Sequence, residues 1–201
     1  SGVDFLDTAD VYGGGRSEQL IGKFLKENPG ELFVATKLGR RDHVFPDNFT
    51  PENLRGCTED SLKHLGVESL DLTQLHCLPT EVLRQGEVFD EMRKQQAAGL
   101  IRHWGVSVES IEEALICMEQ DGLTSLQIIF NVFRRKPAEI LFEKAKAMNI
   151  AIIVRLPLAS GLLSGKLSSN STFAENDHRD FNADGQFFNV GETFAGLGLI
   201  K

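Results

Sequence analysis

Cysteine is scarce in this chain, and its three copies, Cys57, Cys77 and Cys117, form no CxxC pair. An odd number without metal-type spacing argues against a disulfide framework or a thiolate metal site, and for free thiols in a reducing compartment. Histidine gives a metal no better purchase: His43, His103 and His178 carry no ligand spacing, and no metal is assigned. A basic excess is also missing. The formal net charge of -8 disfavours a nucleic-acid or anionic-membrane surface, while leaving room for a local basic pocket. No apolar run approaches the roughly 20 residues a membrane helix needs, and the chain does not open on a basic-then-apolar stretch of the secretory kind. The glycine fingerprint of open dinucleotide folds is absent too, because Gly13-Gly14-Gly15 follows a strand-like run with the wrong spacing for GxGxxG. What remains, with 41% hydrophobic and 25% charged residues, is ordinary for one soluble core, and a cytoplasmic enzyme fits it.

The pattern that is present alternates between two periods. Short apolar runs at 3–8, 32–36, 70–75, 101–107, 126–131 and 151–156 read as strands. Between them, apolar residues recur at helical spacing over 17–26, 50–64, 81–98, 110–119 and 138–148. Thr50-Pro51-Glu52 starts its helix with a capping hydroxyl, a first-turn proline and an acid at the positive end, and Gly66 marks its stop. Strands separated by amphipathic helices require crossover connections, hence a parallel sheet covered by helices. Runs such as LQIIFN and IAIIVR are too apolar to face water on either side.

Polar and ionisable residues collect at the C-terminal ends of several of these strands, where barrel enzymes build their sites, which favours a (β/α)8 TIM barrel over an open sheet. Six of its eight strand–helix units can be counted. After Leu158 the sequence turns polar and loop-like. The expectation is one barrel domain over 1–201, an internal portion of a longer protein incomplete at both ends. Residues 159–201 would form a loop-rich segment on the cofactor and substrate side. Exposed parallel edges would invite pairing, so a homo-oligomer of the isolated chain is a natural expectation.

Four side chains at or just past strand ends can do chemistry together: Asp7 and Tyr12 in DTADVYG, Lys37 closing VATK, and His76 closing DLTQLH. Phenols are poor acids at neutral pH, with a pKa of about 10. A nearby ammonium lowers that value, a carboxylate holds the ammonium in place, and an imidazole can donate to a substrate oxygen. Such a group could protonate a carbonyl that is becoming an alkoxide.

These residues resemble the tetrad of the aldo-keto reductase superfamily. The resemblance extends over nearly the whole chain, through GVDFLDTADVYGGGRSEQLIGKFLK, GLIRHWGVS, LQIIFNVFRRKP and PLASGLLSGK in order. It implies NADPH-dependent reduction of an aldehyde or ketone, or oxidation of the alcohol. Tyr12 would give the proton, Lys37 and Asp7 would tune it, and His76 would orient the carbonyl. The same resemblance implies that Ser107 and Gln127 hold the nicotinamide carboxamide. Arg155, Leu156, Leu158, Ser160 and Lys166 would then lie along the nicotinamide and pyrophosphate. Two positions depart from the family pattern: Val108 stands where many members have Asn, and Arg155 where many stack a Tyr. A guanidinium can stack, but its charge disfavours an oxidised, cationic ring, so a bias toward NADPH is expected. No residue present reads the adenosine 2′-phosphate, so the NADP preference rests on the family alone.

Each residue has a plainer reading as well. Asp7 could cap its loop, Lys37 could be solvated, His76 structural, and Tyr12, the only tyrosine, packed by its ring. Trp104 reads as core, and Cys77 as buried and inert. Arg134, Arg135 and Lys136 suit either a solvated turn or a cationic cluster beside the cofactor channel. The Arg40-Arg41-Asp42-His43 rim suits either a polar or anionic substrate such as a sugar, or a solvated charged loop. Two other functions compete with an oxidoreductase: a cofactor-holding regulatory subunit with little turnover, and an inactive fragment.

Overall fold

Helix starts and stops are written locally. In the computed structural model, which describes residues 2–28, 30 and 32–181, Thr50 accepts a hydrogen bond from the Asn53 amide, Pro51 opens the helix, and Gly66 ends it. Ser110 and Glu113 likewise make a reciprocal capping box. The strands are β1 (Phe5–Asp7), β2 (Phe33–Leu38), β3 (Leu70–His76), β4 (Ile101–Ser107), β5 (Leu123–Ile129) and β6 (Ala151–Arg155). Between them run α1 (Arg16–Glu27), α2 (Pro51–Leu65), α3 (Thr80–Gln85), α4 (Glu87–Ala97), α5 (Ile111–Met118), α6 (Lys136–Ile140) and α7 (Phe142–Ala147). All strand pairs are parallel and lie in sequence order, which makes a curled, partial (β/α)8 barrel.

Apolar residues from the outer face of the sheet and the inner faces of the helices form one core. It includes Leu54 and Cys57 of α2, Phe89 and Met92 of α4, Trp104 and Val106 of β4, and Leu126 and Ile128 of β5. Trp104 is fully buried against Phe89, with ring centroids 5.9 Å apart, so it is a packing residue. All three cysteines are free and buried.

Several expected boundaries move. The helix expected over 81–98 is two, because Gly86 takes a left-handed φ of 83° between α3 and α4. The helix expected over 138–148 is likewise split into α6 and α7. The fifth strand begins three residues earlier than its apolar run, since pairing with Trp104 and Gly105 recruits Leu123 and Ser125. Strand β6 also departs from expectation: Ala151 and Val154 are exposed, because among the described residues no strand pairs with its far side. The segment after Leu158 contains a 3₁₀ turn, Ala159–Ser164, and its portion beyond 181 lies outside the described residues. Among the described residues no helix is long and apolar enough to cross a membrane.

Candidate active site

The sheet brings the candidate residues to one end. His76 is paired in register with Ser107, and Ser107 with Gln127, giving a continuous row across β3, β4 and β5. Asp7 ends β1, and Lys37 lies one residue before the end of β2.

Lys37 is 1% exposed, and its Nζ donates to Asp7 Oδ2 and to the Thr8 carbonyl, both at 2.7 Å. The second Asp7 oxygen accepts from Gln127 Nε2 at 2.9 Å, which ties β1 to β5 across the interior. Tyr12 sits in the turn after β1, 42% exposed, with its ring edge-on to His76 at 5.9 Å between centroids. The Lys37 ammonium lies 5.1 Å from the centre of the Tyr12 ring. These four side chains therefore meet, as expected from their strand-end positions.

Their electrostatics differ from the expectation in one respect. Burial, and next the Asp7 charge, push the Tyr12 phenol above its ordinary pKa, while Arg155 opposes them. The ammonium, bonded to Asp7 and the Thr8 carbonyl, does not bring the phenol below its ordinary value. Burial also lowers the Lys37 pKa, with Asp7 acting against it. His76 is pushed down to about 3 by burial and then by Lys37, Arg40 and Arg155, so its ring is neutral at pH 7. Its Nδ1 is buried and has no hydrogen-bond partner among the described residues.

A cavity of about 610 Å³ opens beside this group, lined by Asp7, Tyr12, His76 and Gln127 together with Arg40, Cys77, Glu109, Arg155, Leu156 and apolar residues including Val11 and Ile153. Gln127 Oε1 is buried and has no hydrogen-bond partner among the described residues. Ser107 is fully buried and does not line the cavity; its Oγ is 3.4 Å from Cys77 Sγ. Leu158, Ser160 and Lys166 are outside the cavity wall; Leu158 and Lys166 are exposed, and the Ser160 carbonyl accepts from Arg179. Cys77 does touch the cavity, but burial raises its thiol to about 11, which keeps it protonated.

Arg155 is not a loose planar cation. It donates to Glu109 Oε1 at 2.8 Å, to the Val108 carbonyl at 3.1 Å and to Cys77 Sγ at 3.2 Å. The Glu109 carboxylate offsets part of that charge, which reduces the expected bias against an oxidised ring without removing it. Glu109 escaped the sequence reading, although a carboxylate two residues past a strand end was a usable signal. Arg134 and Lys136 line a neighbouring recess with Glu109, Ile111 and Phe133. Among the described residues no three His, Cys, Asp or Glu side chains are grouped so as to hold a metal ion.

A parallel barrel sheet with ionisable groups gathered at the C-terminal strand ends is the architecture of a barrel enzyme. Residues 1–197 match the Aldo/keto reductase family. A soybean (Glycine max) relative, "Probable aldo-keto reductase 1", is 34% identical over 169 residues, covering 82% of this chain and 49% of its own length. Fission yeast (Schizosaccharomyces pombe) "Aldo-keto reductase yakc [NADP(+)]" is 28% identical over 187 residues, with 89% and 55% covered. The solved glycerol dehydrogenase AKR11B4 from Gluconobacter oxydans superposes with a TM-score of 0.78 at 34% identity, covering 98% of this chain and 62% of that one. The chain belongs to the aldo/keto reductase family, and it spans about half the length of these curated relatives.

Proposed function

We propose that the parent protein is an NADPH-dependent oxidoreductase that interconverts a small polar carbonyl compound and its alcohol, with Tyr12 as the proton donor. The observation that carries this reading is the meeting of Asp7, Lys37, Tyr12 and His76 at the edge of one cavity. A phenol raised above its usual pKa is protonated at pH 7, the state needed to reduce a carbonyl. Neutral His76 retains one ring N–H with which to orient the carbonyl oxygen. Lys37, locked by Asp7 and the Thr8 carbonyl, stabilises the tyrosinate left after proton transfer.

The cofactor would supply the hydride, since no side chain can. Among the described residues the buried Gln127 Oε1 has no partner, and it fits an amide N–H of the nicotinamide carboxamide; Ser107, its neighbour in register, is fully buried and would join it from behind the cavity lining. Arg155 and Leu156 line the same cavity, and Leu158, Ser160 and Lys166 would follow the pyrophosphate outside it. The preference for NADP is supported by the name of the fission-yeast relative. A polar substrate is supported by Arg40, Glu109 and Arg155 in the cavity wall, and by a structural neighbour that is a glycerol dehydrogenase.

The test is loss of NADPH absorbance with a small hydroxylated aldehyde, abolished by Tyr12→Phe. Cofactor bound with no turnover would instead support a regulatory subunit. Among the described residues no strand pairs with the outer edges of β1 and β6, which favours a second reading for the isolated chain, an inactive fragment that binds NADPH poorly. A titration of cofactor fluorescence separates that case from the first two.

A further inference from the structure

The turn that carries Tyr12 is held by a polar cluster on the side of β1 and β2 facing α2, distinct from the cavity. Asp10, two residues before Tyr12, has a side chain with no exposure at all. Arg41 Nε donates to its Oδ2 at 2.9 Å, and the same guanidinium donates through Nη1 to Asp60 Oδ2 of α2 at 2.7 Å. Asp10 Oδ1 is buried, and among the described residues no donor reaches it with hydrogen-bond geometry. Cys57 of α2 and Glu18 of α1 also face Asp10, and Glu18 is itself bonded to Thr36 and His64.

This arrangement is costly for the fold. Burial raises the Asp10 carboxyl to about 6, with Arg41 opposing and Glu18 adding to the rise. A carboxylate that the interior disfavours contributes little to stability by being ionised, and a well-packed apolar residue is often no worse in such a place. What the pair does provide is direction. The backbone from Ala9 to Gly14 is a chain of short turns, with the Tyr12 amide donating to the Ala9 carbonyl at 3.1 Å and the Gly14 amide to the Val11 carbonyl at 3.0 Å. The Asp10 amide is fixed to the Lys37 carbonyl at 3.0 Å, so its side-chain bond to Arg41 adds a second anchor on the opposite side of that turn.

We infer that Asp10, Arg41 and Asp60 form a clamp that positions the Tyr12 turn against His76, making Asp10 and Arg41 positioning residues for the proton donor. The consequence for turnover rests on the proposed role of Tyr12. The clamp itself can be tested without turnover, because Tyr12 is the only tyrosine in the chain and its ionisation can be followed by ultraviolet difference titration.

The experiment titrates the phenol in the full chain and in Asp10→Ala, Asp10→Asn and Arg41→Met, each confirmed folded by circular dichroism. In a clamp, Asp10→Ala and Arg41→Met both free the turn, hydrate Tyr12 and move its pKa down toward the ordinary value of about 10. Asp10→Asn keeps the shape and an acceptor for Arg41, and stays close to wild type. A direct charge effect gives another pattern: both Asp10 variants shift down equally, while Arg41→Met shifts up. That pattern, or no shift in any variant, overturns the proposal. Should Arg41→Met not fold, the contrast between Asp10→Ala and Asp10→Asn decides alone. Exchange of the Tyr12 and Gly14 amides should accelerate in Asp10→Ala and not in Asp10→Asn. Failure of Tyr12→Phe to abolish turnover would leave these outcomes untouched, so the two ideas fail separately.

Discussion

Removing Asp7 should reveal how strongly the buried ammonium depends on it. In Asp7→Ala, the Thr8 carbonyl at 2.7 Å is the one hydrogen-bond partner left to Lys37 Nζ among the described residues, beside the Tyr12 ring, at a site 1% exposed. Breaking a buried ion pair from one side costs about 3–5 kcal/mol, because an uncompensated charge is left behind. The Asp7 side chain is 35% exposed, so solvent screens the pair and about 2–3 kcal/mol is the better expectation. Lys37→Met should cost less, about 1 kcal/mol, since Asp7 stays partly solvated and keeps its bond from Gln127 Nε2. The double variant carries no orphaned charge and should lose only about 1–2 kcal/mol, a coupling of roughly 2 kcal/mol. Urea unfolding followed by circular dichroism measures all three, provided the m-value is constant across the set. Additivity within about 0.5 kcal/mol would show that the pair does not govern the ammonium, and the reasoning would be wrong.

Stability should also fall as pH drops from about 6.5 toward 3, because His76 titrates at about 3 when folded and near 6.5 when unfolded, so the unfolded chain binds the extra proton. His76→Gln should flatten that limb in urea midpoints measured across the range, and an unchanged limb would place its origin in other groups. Asp10 acts with the opposite sign between about 3.8 and 6, where the folded chain binds the proton more tightly. Gly22→Ala should destabilise by about 1–3 kcal/mol through overpacking, since an added Cβ would lie 2.4 Å from the His64 backbone oxygen where α1 crosses α2; a thermal melt no lower than wild type would contradict that contact.

The legible parts of the molecule are those that short-range chemistry dictates. Thr50, Pro51 and Gly66 mark their helix because capping involves neighbours in sequence. Asp7, Lys37 and His76 could be found because each ends or nearly ends an apolar run, and parallel crossovers bring such ends to one side. The start of β5 was hidden, since Leu123-Thr124-Ser125 looks turn-like until β4 offers it a ladder. The setting of Arg155 was hidden for a similar reason: its partner Glu109 lies 46 residues earlier, and no local pattern announces the bond. The raised Tyr12 pKa depends on burial, which spacing does not report.

The bond from Gln127 to Asp7 closes a loop of 120 residues between strands that are not neighbours in the sheet. Closing so long a loop carries an entropic penalty that grows only slowly with length, so the bond depends chiefly on the curl of the sheet to bring its ends together. It acts as a gauge of that curl. If the sheet flattens, by release of an edge strand or by a poorly fitting partner along β1 or β6, Asp7 loses a donor and becomes a freer acceptor for Lys37. A change in the curl of the sheet would thus be felt at Lys37 through the carboxylate that both strands share.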